Sequence, residues 1–192
     1  MSDADLLQAI GAEESHPEGL LFPDTYFYAP HSSDIQVLRR AYRLQHDKLM
    51  AAWETRAPGL PYRTPYEALI MASIVEKETG AAFERPMIAG VFLNRLRLRM
   101  RLQTDPAVIY GLGERFDGNL RKVDLQTDTP YNTYTRGGLP PTPIAMPSEA
   151  AIQAALNPAN TDALYFVSRG DGTHVFSNNL AAHNRAVNRH QR

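Results

Sequence analysis

The chain has no cysteine, which excludes disulfides and thiolate-metal sites and leaves the redox compartment open. It has no excess of either charge: the net charge of -1 gives no global pull toward nucleic acid or an anionic membrane, so any polyanion site has to be a local patch of arginines. It also lacks a long hydrophobic run. Its longest apolar stretches reach about eight residues, against the ~20 needed to span a bilayer, and the acidic start Met1-Ser2-Asp3 has none of the positive residues that open a signal peptide. As given, the chain is expected to be soluble. No internal repeat or low-complexity tract interrupts it. What it does have is 192 residues of even composition, 43% of them hydrophobic, enough for one well-buried domain and too few for two comfortable ones.

The pattern predicts an α+β domain over 1–192: a central buried helix, several surrounding helices and a small antiparallel β component. Residues 3 to 10 suit a short helix stopped by Gly11. "EGLLFPDTYFY" (18 to 28) reads as a strand interrupted by a turn. Ser32 or Ser33 caps a helix running to about Thr55, with Ile35, Leu38, Tyr42, Leu49 and Trp53 on its apolar face. The next helix opens at Thr64-Pro65-Tyr66-Glu67, a capping box with proline at the first helical position, and Gly80 closes it. A third begins at Pro86 and gives way near Arg97 to Arg99 to "RLRLRMRL", whose alternation is closer to a strand period. Asp105-Pro106 starts a short helix ending at Gly111 or Gly113. Residues 114 to 147, rich in proline and glycine, form a long loop that a compact domain seldom leaves idle. Ser148 caps a helix to about Leu156, "ALYFVS" and "THVFS" flank Arg169-Gly170-Asp171-Gly172 as a hairpin, and a last helix follows Asn178 or Asn179.

The stretch "MASIVEKETG" (71 to 80) is the first candidate for chemistry. Its helix is apolar on nearly every face and holds its charges only at the end. Glu76 stacks over Leu69, Ala72 and Ser73, whereas Glu78 stacks over Met71 and Ile74, so the two carboxylates face apart. A carboxylate at a helix C-terminus meets the negative end of the macrodipole and, if walled by apolar groups, also loses hydration. Both effects favour the protonated form, which is how a general acid is made. The plainer reading is a solvated helix end paired with arginines, and the residues alone leave both open.

"SIVEKETG", together with "EGLLFPDTYFY", "FLNRLRLRMRLQTDPAVIYG", "YNTYTRGGLPP" and "YFVSRGDGTHVFSNNLAAHN", resembles the endolytic murein transglycosylases of the MltG, or YceG-like, family. The resemblance runs in order from about Glu18 to His183. It implies cleavage of peptidoglycan glycan strands between N-acetylmuramic acid and N-acetylglucosamine, a 1,6-anhydromuramoyl end, no metal and no cofactor. The first glutamate of the stretch, Glu76, is implied as the catalytic group. The family's membrane anchor and LysM-like region are not visible here. By resemblance the protein is placed at the membrane, facing the periplasm or cell wall, with glycan strands as substrate, cell-wall synthases as candidate partners and no nucleic acid. Arg99 and Ser148 stand where the family often has glycine.

Around Glu76 the expected substrate-binding residues are Asn94, Gln103, Asp105, Tyr131, Asn132 and Tyr134. Tyrosine rings and amides suit N-acetyl sugars, although "YNTY" serves a tight turn equally, Thr104-Asp105-Pro106 reads as a helix cap, and Asn94 suits a backbone clamp. His174 and His183 lack a third ligand at recognisable spacing, so no metal site is expected. The arginines 95, 97, 99 and 101 read as a phosphate stripe or as an amphipathic, half-exposed element. Three rival functions remain: a lysozyme-like hydrolase using Glu76 with Asp105, a non-catalytic cell-wall binding module and, behind these, a nucleic-acid-binding protein using the arginine stripe.

Overall fold

The computed structural model describes residues 1–191. Among these, the chain forms eight α-helices and one two-stranded antiparallel sheet, an α+β fold. Helix α3 (Pro65–Glu78) is the axis. Thr64 caps it through a side-chain bond from the Glu67 amide, Pro65 occupies its first turn, and every residue from Ala68 to Val75 is buried. It packs chiefly on α7 (Glu149–Leu156), whose Ala151, Ala154 and Ala155 leave room for a close approach. Helices α2 (Asp34–Glu54) and α4 (Arg85–Arg97) flank this pair. On α4, Gly90 has a steric reason: a Cβ there would lie 2.8 Å from the Ala159 carbonyl oxygen. Helices α1 (Asp3–Ile10), α5 (Asp105–Leu112) and α6 (Lys122–Gln126) are short. Strands β1 (Tyr165–Ser168) and β2 (His174–Ser177) form the hairpin, with Phe166 opposite Phe176, and α8 (Leu180–His190) folds back against it.

Five local expectations differ from the structure. Residues 18–28 contain no strand, because their polar groups are taken up by helices and loops: the Phe22 amide donates to the Ala41 carbonyl, and Gln45 Nε2 donates to the Gly19 carbonyl. On α2 the fully buried positions are Ala41, Gln45, Leu49 and Ala52, so the large residues picked from the pattern mostly flank the seam. The capping box at Thr64 is half made, since the Glu67 carboxylate turns instead to the Arg63 amide and guanidinium. Gly80 has no left-handed backbone; α3 ends at Thr79 in an extended conformation.

The arginine-leucine alternation is not a strand either. Helix α4 ends in a Schellman motif: the Met100 amide donates to the Arg95 carbonyl at 2.8 Å, the Arg99 amide to the Leu96 carbonyl at 3.1 Å, and Arg99 sits in the left-handed region at φ 55°. A non-glycine residue there is strained. Arg99→Gly is therefore expected to raise unfolding free energy in urea by roughly 0.5–1 kcal/mol, the relief of strain outweighing the added freedom of the unfolded chain. A loss of stability of that size would show that the arginine side chain contributes more than its backbone costs.

Candidate active site

A cleft of about 520 Å³ opens between the end of α3, the 102–105 turn and Tyr134 on one side, and the hairpin with α8 on the other. Glu78, the last residue of α3, lies on it. Its carboxyl pKa is pushed up to about 7, first by loss of water and then by the charge of Asp105, against the opposing pull of the Thr104 hydroxyl and Arg95. Asp105 is the first residue of α5, and its Oδ1 accepts the Tyr134 hydroxyl at 2.5 Å. Burial and that carboxylate together raise the Tyr134 phenol above its ordinary value, so it stays a donor. Thr104 takes the N-cap position of α5 without a side-chain capping bond, and Asp105, next in the chain, lines the cleft.

Arg95 forms the floor. Only 8% exposed, it donates from Nε to the Leu164 carbonyl at 2.6 Å and from Nη1 to the Leu102 carbonyl at 2.9 Å and to Gln103 Oε1 at 3.2 Å. One guanidinium thus ties the strand β1 approach to the turn that carries Gln103, itself held at φ 52°. The other arginines of the run go separate ways: Arg97 donates to the Gly59 carbonyl and Arg101 to the Tyr134 carbonyl. They make no common stripe for phosphates.

Of the expected site residues, the structure brings Gln103, Asp105 and Tyr134 to the cleft, and leaves Glu76, Asn94, Tyr131 and Asn132 off its walls. Asn132, fully buried, donates from Nδ2 to the carbonyls of Asp124, Leu125 and Thr127 and accepts the Tyr134 amide, so it fastens the loop that presents Tyr134. Tyr131 packs against Tyr110 and shares a hydroxyl bond with Thr142. Asn94 donates to the carbonyls of Thr161 and Ala163. The side-chain bonds of these three run to the protein itself, and none of them lies on the walls of this cleft.

Glu76 is occupied in the same sense. Its Oε2 accepts both the amide and the hydroxyl of Ser148, at 3.0 and 2.5 Å, and its Oε1 accepts Arg85 Nη2 at 3.2 Å. Since Ser148 is the N-cap of α7 and Arg85 opens α4, Glu76 joins three helices. The helical spacing that set Glu76 and Glu78 on different faces was informative; which face meets the cleft depends on the hairpin and α8, about a hundred residues further on.

His174, His183 and Tyr165 also line the cleft, and none was picked as a substrate contact from sequence. The His183 ring stacks on Tyr165 at 5.1 Å, and burial lowers its pKa. Among the described residues no cluster of three or more His, Asp or Glu side chains is close enough to hold a metal ion.

An apolar central helix ending in a protonatable carboxylate, beside a second carboxylate in one polar cleft, is an arrangement suited to acid-base chemistry on a polar ligand. The sequence profile of the YceG-like family matches residues 2–189, and the chain belongs to that family. It is 39% identical over 172 residues to the endolytic murein transglycosylase of Bacillus subtilis (strain 168), covering 89% of this chain and 47% of the relative. It is 36% identical over 179 residues to the protein of the same name in Streptococcus pneumoniae serotype 2 (strain D39 / NCTC 7466), covering 90% of this chain and 32% of that one. The chain thus spans 47% and 32% of the length of these curated relatives. A crystal structure of the yceG-like protein lmo1499 from Listeria monocytogenes superposes with a TM-score of 0.75 at 35% identity, covering 95% of this chain and 62% of that one.

Proposed function

We propose that this chain is the catalytic unit of an endolytic peptidoglycan lytic transglycosylase, with Glu78 as acid and then base. The observation that carries the assignment is the placement of Glu78: a carboxyl with its pKa raised to about 7, on a cleft of sugar-binding size that also holds Asp105 and Tyr134. The names of the relatives supply the substrate class. In the proposed reaction the Glu78 carboxyl protonates the glycosidic oxygen of the leaving N-acetylglucosamine as its bond to the muramoyl C1 breaks. The muramoyl C6 hydroxyl oxygen bonds to C1, and its proton passes to the Glu78 carboxylate, restoring the acid. No water is consumed, and because the nucleophile belongs to the substrate, positioning the ring replaces a second catalytic carboxylate. Asp105, held by Tyr134, supplies negative charge to the oxocarbenium-like transition state. Anchoring at the membrane and contact with cell-wall synthases would fall to parts other than this cleft; no helix among the described residues is long and apolar enough to cross a membrane.

A second reading has its own observation, the presence of Asp105 beside Glu78: a hydrolase in which Asp105 acts as nucleophile or activates water. Mass analysis of murein glycans digested by the protein separates the two. Muramoyl ends lighter by one water than hydrolysed ends are expected, and reducing ends would replace the lyase with the hydrolase. Glycan retained without any turnover would leave a binding module.

A further inference from the structure

The wall opposite Glu78 holds a pair that the proposed chemistry does not use. Glu84, 6% exposed at the turn before α4, accepts the His174 backbone amide at 3.0 Å and engages the His174 ring Nδ1 at 2.7 Å. Phe166 and Phe176 flank that ring, with Phe166 edge-on at 5.4 Å. The imidazole is therefore fixed in plane and position by a buried carboxylate and two aromatic rings. A carboxylate only accepts, so Nδ1 carries the proton, and the free ring position is Nε2. Among the described residues that nitrogen has no hydrogen-bond partner, and it is not sealed from solvent, on a residue that lines the cleft.

We propose that His174, oriented by Glu84, is a substrate-binding residue that takes a sugar hydroxyl of the glycan on the face of the cleft opposite the acid. This rests on the proposed function and deepens it. The choice of a hydroxyl follows from the ring. When neutral, its Nε2 is an acceptor, and when protonated, a donor; an amide N–H suits only the first and an acetamido carbonyl only the second, whereas a hydroxyl serves both. Held by the hairpin on one side and by Glu84 on the other, His174 holds the glycan within the cleft that Glu78 also lines, and positioning is what an intramolecular attack requires.

Two substitutions separate this role from a structural one because each imitates a different ring nitrogen. The His174→Asn amide reaches the Nδ1 position and keeps a donor for Glu84, but places nothing at Nε2. The His174→Gln amide reaches toward Nε2 and gives up the bond to Glu84. Both lose the same aromatic contacts. Binding of soluble murein glycan strands, freed of peptide stems, is measured by calorimetry in the non-cleaving Glu78→Gln background, with melting temperature alongside. The expected result is an inversion: His174→Asn is the more stable of the two yet binds glycan on the order of tenfold more weakly than its parent, while His174→Gln is less stable and binds within about threefold. Binding that follows stability, or that is equal in all three proteins, overturns the inference and leaves the proposed function standing. Absence of glycan binding by the parent overturns both.

Discussion

Glu78→Gln is expected to keep the fold and to lower turnover on soluble glycan by on the order of 10²–10⁴-fold, because the amide preserves shape but has no proton to deliver. The pH dependence of the native protein should show the same group. With its pKa at about 7, the carboxyl is the acid form below that value, and activity should fall along an alkaline limb near neutrality while circular dichroism stays unchanged. Stability adds an independent test. The folded-state value lies above the ordinary 4.5, so between those two the native state binds more protons than the unfolded state, and stability falls as pH rises through that window. Above about 7 the full cost of holding a half-buried, partly desolvated anion is present, on the order of a few kcal/mol at most, and Glu78→Gln removes it. The variant should therefore melt higher than the native protein at pH 8 and with little difference at pH 4. Loss of activity joined to a gain of stability marks a group kept for chemistry. Activity flat into alkaline pH, or a variant that melts lower at pH 8, would end the assignment.

Helix starts were legible in the sequence because capping is local. Ser33, Thr64, Ser148 and Asn179 each accept the amide three residues ahead, so the pattern that announces the cap also makes it. The hairpin was legible for the same reason, its turn being fixed by Arg169 to Gly172. Extended-looking segments were not. Residues 18–28 and the 95–102 run have strand-like patterns, yet their backbone partners come from α2, from the Arg95 guanidinium and from α4's own last turn, none of which a local period can reveal. The site divides along the same line. Gln103, Asp105 and Tyr134 were picked by residue type and do reach the cleft, while Asn132 and Asn94, picked the same way, spend their amides on backbone carbonyls. An amide in a loop signals a demand for hydrogen bonds, and only the fold says whether protein or ligand meets it. Glu84 and His174 lie ninety residues apart in the chain, and their meeting had no sequence signal beyond the residue types themselves.

Glu76→Gln is expected to do the reverse of Glu78→Gln: turnover per folded molecule is kept and stability is lost, by about 1–3 kcal/mol in urea. The reason is what would be left behind. The Arg85 side chain is only 15% exposed and pairs through Nη2 with Glu76 Oε1, and its Nε has no hydrogen-bond partner among the described residues, so a neutral amide leaves a half-buried cation largely unpaired. At the other oxygen, the carboxylate sits at the N-terminal end of α7 and accepts two bonds from Ser148, where its negative charge is also favoured by the helix dipole. The amide can keep one of these faces by rotation, not both. Because Glu76 lies off the cleft, its loss should reach the chemistry only through the relative placement of α3, α4 and α7, and a protein that remains folded should still cleave. Purified Glu76→Gln, assayed well below its melting temperature and normalised to folded fraction, is the measurement. Should it be inactive at an unchanged melting temperature while Glu78→Gln turned over normally, the proton donor would be Glu76, and the raised carboxyl at the end of α3 would be a structural acid facing the cleft without acting in it.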